Sequence, residues 1–229
     1  MNKSAITTFF GVLAIAIVAV FGYVALKPAP EVSAPIQAVA LQSTASTATT
    51  GSAKVYSIDT TSSEARFVLD EVLRGEDKTV VGTTDQVAGQ IALDPSSATS
   101  AQVGTITVNA RTLVTDDSSR TRALQNVILS TGEHEYISFT PSAIAGLPTT
   151  IQAGQTYAAQ LTGDLTIKGV TKTTTFAVQL TPTSASQLTG TANTTIAFAD
   201  WGLSIPTVPF VASVDDQVRL ELDFTANAA

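Results

Sequence analysis

The chain has 229 residues, of which 44% are hydrophobic, 14% charged and 6% aromatic, and it carries a net charge of -7. An acidic surface without a basic stripe repels phosphates, which speaks against nucleic acid as a partner and against electrostatic docking on anionic lipid headgroups. The absence of cysteine excludes disulfides, thiolate metal sites and thiol chemistry.

In chain order, residues 5 to 26, "AITTFFGVLAIAIVAVFGYVAL", hold no charge and are long enough to cross a hydrocarbon core of about 30 Å. Lys3 precedes the run and Lys27 follows it, so the positive-inside rule places the N-terminus in the cytoplasm and the rest outside it. A cleaved signal peptide is the competing reading. Its apolar region is normally about 7–15 residues and ends at a small-x-small site. Here the best such site, Ala38-Val39-Ala40, lies well past the run. Residues 1–26 are therefore read as a transmembrane anchor or signal segment. The expected location is the cell membrane, single-pass, with the folded part extracytoplasmic; secretion after cleavage is the alternative. Residues 27–54 are rich in Pro, Ala, Ser and Thr, with little apolar bulk to offset chain entropy, and read as a flexible linker.

Bulky residues return at Val55-Tyr56, and from there to about Thr225 the pattern is that of strands. In "TITVNA" Ile106, Val108 and Ala110 share a face. In "QLTGDLTI" Leu161, Leu165 and Ile167 do so, as do Phe176, Val178 and Leu180 after the link "KGVTK". "TTIAFA" sets Ile196 with Phe198, and "VRLELDF" sets Val218, Leu220, Leu222 and Phe224 opposite Arg219, Glu221 and Asp223. Alternation of this kind means one wetted face per strand and antiparallel pairing. Turn signals at Asp94-Pro95-Ser96-Ser97, Gly146-Leu147-Pro148 and Pro182-Thr183-Ser184 separate the runs. One segment, "DDSSRTRALQNVILSTG", changes period: Leu124, Val127 and Ile128 recur at helical spacing, with Asp117 or Ser118 as cap and Gly132 as stop. The expected domain is an all-β sandwich or barrel with one short helix.

Candidates for chemistry are few. His134, the only histidine, lacks nitrogen or sulfur partners for a metal and no Gly-x-Ser-x-Gly elbow accompanies it, so it reads as an exposed loop residue. The pairs Asp116-Asp117 and Asp215-Asp216 fall outside the spaced loop of an EF-hand and read as turn and cap residues. Gly169 supplies the unusual backbone angle of a hairpin, with Lys168 and Lys172 as solvated charges at its tip. Trp201 heads an apolar cluster with Phe198, Leu203, Ile205 and Phe210, either as a core plug or as the wall of a ligand site.

These residues resemble the YceI-like domain family, lipocalin-like β-barrels of periplasmic and secreted bacterial proteins. "GDLTIKGVTKTTTF" (163 to 176) is similar to the family's hallmark hairpin, "VYSID" (55 to 59) to its opening strand and "VAGQIALD" (87 to 94) to a second strand motif. "RTRALQNVILSTGEHEYISF" (120 to 139) resembles its Arg-led helix and following strand, and "FADWGLSIPTVPFVASVDDQVRLELDF" its closing segment. Two departures stand out. Ile58-Asp59 is followed by "TTSSEARF", where many members soon carry a His, and Arg120 is followed by Thr121 rather than Asp.

The resemblance implies an antiparallel lipocalin-like barrel of about eight strands over residues 55–226, whose interior holds a polyisoprenoid or another amphiphile without covalent chemistry or cofactor. Inward residues that would line such a cavity are Phe67, Ile106, Val108, Leu124, Ile128, Leu165, Ile167, Phe176, Val178, Ile196, Phe198 and Trp201. By pattern alone the same residues suit a filled barrel, and a surface or stress-response interaction module with a packed core is the alternative function. An enzyme acting on an amphiphile through His134 is a third. A homodimer is compatible with the sequence but unsignalled by it.

Overall fold

The computed structural model describes residue 31 and residues 34–41, 53–206 and 211–228. The anchor expected over residues 1–26 and most of the linker lie outside the described residues. Among the described residues no helix is long and apolar enough to cross a membrane.

The strands form one strongly curled antiparallel sheet with one short helix. The first run holds β1 (Lys54–Ile58) and β2 (Glu64–Leu73), the second β3 (Glu76–Thr84), β4 (Val87–Ala88) and β5 (Gln90–Leu93). The third run holds β6 (Gln102–Val103), β7 (Ile106–Asn109) and β8 (Val114–Thr115). Five long strands and one short one follow: β9 (Tyr136–Ala145), β10 (Tyr157–Ile167), β11 (Val170–Ser184), β12 (Gln187–Ala197), the short β13 (Val211–Val214) and β14 (Gln217–Ala228). β7 pairs with β9 and the meander continues through β10, β11 and β12 to β14. On its other edge β14 pairs first with β2 and then with β1. β2 pairs with β3 and β1 with β5, while β4 pairs back to β7. The hydrogen-bonded order therefore runs from β4 and β7 through β14 to β1, β5 and β6 as a curled half-barrel.

The alternation read from the sequence sets the inner face. Successive side chains of a strand point to opposite faces, so paired residues share one. Leu161 pairs with Phe176, Ala159 with Val178, Ile196 with Val218 and Leu222 with Ala192, and Leu220 with Phe67. Two of these inner positions need glycine. A Cβ on Gly82 would lie 2.1 Å from the Phe67 ring, and one on Gly190 would lie 2.6 Å from that of Phe224. The missing side chain leaves room for an aromatic ring from the neighbouring strand.

Turn chemistry closes the hairpins. Lys168 (φ 50°) and Gly169 (φ 76°) join β10 to β11, and Arg74 (φ 54°) and Gly75 (φ 86°) join β2 to β3. Both are two-residue loops with positive φ at each position, the primed turn that matches strand twist. The link therefore spans two residues, with Val170 to Lys172 already in β11. Asp94 Oδ1 accepts from the Ser96 N–H at 2.9 Å in the expected turn. Pro182-Thr183-Ser184 is not a turn. It lies in β11, where the register against β12 shifts between Pro182 and Ser184, and such a bulge tolerates a residue without an N–H.

The helix α1 (Ser118–Ala123) is capped by Asp117, which accepts from the N–H groups of Ser119 and Arg120. It runs on as a π-turn over Leu124–Ile128, closed by Leu129 N–H to the Leu124 carbonyl at 2.9 Å. The stop comes before Gly132: Ser130 adopts φ 51°, and its carbonyl accepts from the N–H groups of both Glu133 and His134. Gln125 fastens this helix to the wall, its Nε2 donating to the carbonyls of Arg111 (2.8 Å) and Leu113 (3.0 Å).

Two packed clusters occupy the ends of the curled sheet. One gathers Tyr56, Ile58, Val87, Leu93, Leu188 and Phe224. The other gathers Leu113, Leu124, Phe139, Leu165, Ile196 and Trp201. The linker also meets the sheet: the Leu41 N–H donates to Gln90 Oε1 at 2.8 Å, and the Leu41 side chain lies over Gly104.

Candidate functional site

Between the two clusters the inner face does not close on itself. Phe67, Leu69, Leu161, Phe176, Val178, Leu220 and Leu222 point inward yet are only half-buried, because they border a void. That void is a cavity of about 1410 Å³, above the roughly 300–1,000 Å³ of ordinary small-molecule pockets. Its wall is almost wholly aliphatic and aromatic, from Leu93, Val103 and Phe224 at one end to Leu69, Leu73 and Leu203 at the other. Phe139 and Phe176 meet edge to face in it, with ring centroids 4.8 Å apart. Around Val178 the wall is thin, since its partners on both neighbouring strands are alanines, Ala159 and Ala192, and all three face the void.

Of the residues singled out from the sequence, Phe67, Ile106, Val108, Leu124, Ile128, Leu165, Ile167, Phe176, Val178, Ile196 and Phe198 border the cavity. Trp201 does not. It lies behind the wall, 4% exposed, in the cluster with Leu165 and Ile196, and its indole N–H donates to the Leu165 carbonyl at 3.1 Å. Of its two sequence readings, the plug is the one the geometry matches. Leu69, Val80, Leu161, Leu203, Leu220 and Leu222 also border the cavity. Leu161, Leu220 and Leu222 already lie on the apolar faces read from the sequence. The twist of a curled sheet, which decides how deep each side chain sits, has no counterpart in alternation.

Apart from Arg66 and Glu221, the charged groups on the wall come from the end covered by α1 and the β2–β3 hairpin. Glu71, Arg74 and Lys78 come from the hairpin and Asp117, Arg120 and Arg122 from the helix. Their pairing ties helix to sheet. Arg120 bridges Glu71, at 2.9 Å, and Asp116, and Asp116 reaches Lys78 at 2.8 Å. The Lys78 ammonium beside it, with Arg120, holds the Asp116 carboxyl below its ordinary range. Sequence reading passed over Glu71, Arg74 and Lys78, although inward charges at a strand end are the signal that marks a lip.

His134 is half-buried rather than exposed, with its ring against Gly169. Lys168 is likewise not a free tip charge, since its Nζ donates to the Val127 carbonyl at 3.4 Å. Lys172 is exposed, 4.0 Å from Asp200. Asp215 holds the turn before β14 by accepting from the Gln217 N–H at 3.0 Å. Among the described residues no three His, Asp or Glu side chains form a metal-ligating group.

Solved structures share this arrangement. Burkholderia cenocepacia BcnA superposes with a TM-score of 0.58 at 20% identity, covering 74% of this chain and 99% of that one. A polyisoprenoid binding domain from Saccharophagus degradans, implicated in plant cell wall breakdown, gives 0.57 at 14% identity, covering 76% and 98%. The Campylobacter jejuni YCEI protein gives 0.50 at 19%, covering 64% and 83%. A comparison with curated protein sequences gives no match. At these identities the likeness shows the fold, whereas the model of the YceI-like domain matches residues 56–226 directly, and the chain belongs to that family.

Proposed function

We propose that the domain is an eight-stave lipocalin-like barrel that takes up one long-chain amphiphile of the polyisoprenoid kind and sequesters or carries it. The observation that carries this reading is the apolar cavity of about 1410 Å³ running between two packed ends. Burial of a hydrocarbon chain contributes about 0.8 kcal/mol per methylene, so such a wall binds by shape and desolvation. The related domain described as polyisoprenoid binding supports the ligand class. The apolar run of residues 5–26 supports a single-pass anchor, with the barrel outside the cytoplasm.

Native mass spectrometry of the full chain from a bacterial host, with organic extraction of what co-purifies, tests the reading. A discrete extra mass identified as a prenyl-type lipid is the expected result. A clean apo mass that persists after incubation with isoprenoid lipids would sink it. Val178→Trp supplies the control, because an indole placed between Ala159 and Ala192 enters the void rather than the packed ends. It should abolish lipid retention while unfolding stays cooperative; undiminished retention would count against the cavity as the binding place.

A further inference from the structure

An acidic protein has gathered positive charge at the polar end of its cavity wall, beside α1 and the β2–β3 hairpin. The charged side chains at that end are Arg74, Lys78, Arg120 and Arg122 against Glu71 and Asp117 on the wall and Asp116 paired beside them, an excess of one positive charge on a chain whose net charge is -7. Most of this charge is engaged within the group. Glu71, Arg120, Asp116 and Lys78 form a continuous chain of ion pairs. Arg122 is different. Its Nε and Nη2 donate only to the carbonyl and hydroxyl of Ser118, one helical turn back, each at 3.2 Å. No described carboxylate pairs with it, although the side chain is half-buried and borders the cavity. A partly desolvated guanidinium without a counter-charge is costly to hold, and its planar fork matches the two oxygens of a carboxylate or phosphate.

We propose that Arg122 is the headgroup anchor of the cavity, and that the ligand is a long-chain amphiphile ending in a carboxylate or phosphate rather than in a neutral alcohol. This rests on the lipid-binding reading above. The chain of the ligand lies along the apolar wall, and its anionic end meets the Arg122 guanidinium, which no described carboxylate neutralises. The neighbouring Glu71–Arg120–Asp116–Lys78 chain holds α1 against the hairpin, which keeps Arg122 on the cavity wall.

Native mass spectrometry of the full chain, incubated with equimolar geranylgeranyl phosphate and geranylgeraniol, separates head from tail. A hydrogen-bonded charge pair in a half-buried site gives a preference for the phosphate ester of about 10- to 100-fold. That ratio should fall towards unity in Arg122→Gln and recover in part in Arg122→Lys. Equal occupancy by the two lipids in the wild-type chain overturns the anionic-head proposal while leaving the lipid-binding reading intact, as does a ratio unchanged in Arg122→Gln. Occupancy by neither lipid overturns the lipid-binding reading itself. Inorganic phosphate supplies the last arm. Displacement of the ester by phosphate at equal concentration would mark a free-anion site and overturn the amphiphile proposal, whereas no displacement supports it.

Discussion

Single residues here divide into those that border the void and those that hold the wall in place, and burial tells them apart. Trp201 and Phe198 are three positions apart in one turn, yet Phe198 borders the cavity while Trp201 bonds the Leu165 carbonyl from behind. Trp201→Phe removes that donor and part of a packed ring, so a loss of about 1–3 kcal/mol is expected in urea denaturation. Lipid retention should stay at the wild-type level. A variant that folds but loses its lipid would instead put Trp201 on the ligand. The sequence could not decide this, because plug and wall both require an inward apolar side chain; only the depth of a residue behind its neighbours separates them.

Among the elements, the β10–β11 hairpin was the most legible. Its alternation, its Gly169 and its similarity to the family's hairpin all agree with the observed pairing from Tyr157 with Leu180 to Ile167 with Val170. Gly169 has two reasons to be glycine: φ of 76°, and a His134 ring 3.1 Å from where a Cβ would stand. Gly169→Ala should therefore cost about 1–2 kcal/mol for the left-handed backbone alone, read as a lowered denaturant midpoint. A midpoint unchanged from wild type would mean that the turn relaxes to another type. Less legible were the elements in which local signals mislead. Pro182 reads as a turn and sits in a bulge. The helix ends on the positive φ of Ser130, a residue without glycine's freedom, so the stop was assigned two residues late. The β2–β3 turn at Arg74-Gly75 passed unnoticed, because one glycine after a basic residue is a weak signal until the strands around it are known to pair.

At the scale of the molecule, ion pairs between β2 and β14 fasten the first run of chain to the last strand. Arg66 on β2 meets Glu221 and, at 2.7 Å, Asp223 on β14, as well as Glu64 at 3.2 Å on its own strand. The Arg66 and Arg219 guanidiniums hold the Glu221 carboxyl below its ordinary value of 4.5. A carboxyl lowered in the folded state contributes stability that is complete above the unfolded value. That contribution is lost as pH falls through the lower, folded value. The wild-type chain should thus melt above Arg66→Gln at neutral pH, with the gap narrowing below about pH 4.5. A gap independent of pH would mean that Arg66 acts through its aliphatic packing. Such cross-strand charges could be set opposite the apolar residues from alternation. Their partners could not be, since β2 and β14 lie at opposite ends of the folded sequence.

The contact of Leu41 with Gln90 and Gly104 bears on where the barrel stands. If residues 5–26 lie in a bilayer, the whole stretch from 27 to 53, pulled straight, is a leash of about 90 Å. With Leu41 held on the sheet, the stretch from residue 27 to that contact spans at most about 50 Å at full extension. Extra residues inserted between 27 and 33 should then raise the barrel from the bilayer, as read by energy transfer to a labelled membrane. The same insertion between 42 and 52 should leave its height unchanged, because it falls beyond the Leu41 contact. Anchored that way, the domain would work within about 50 Å of the bilayer rather than at the full length of its linker.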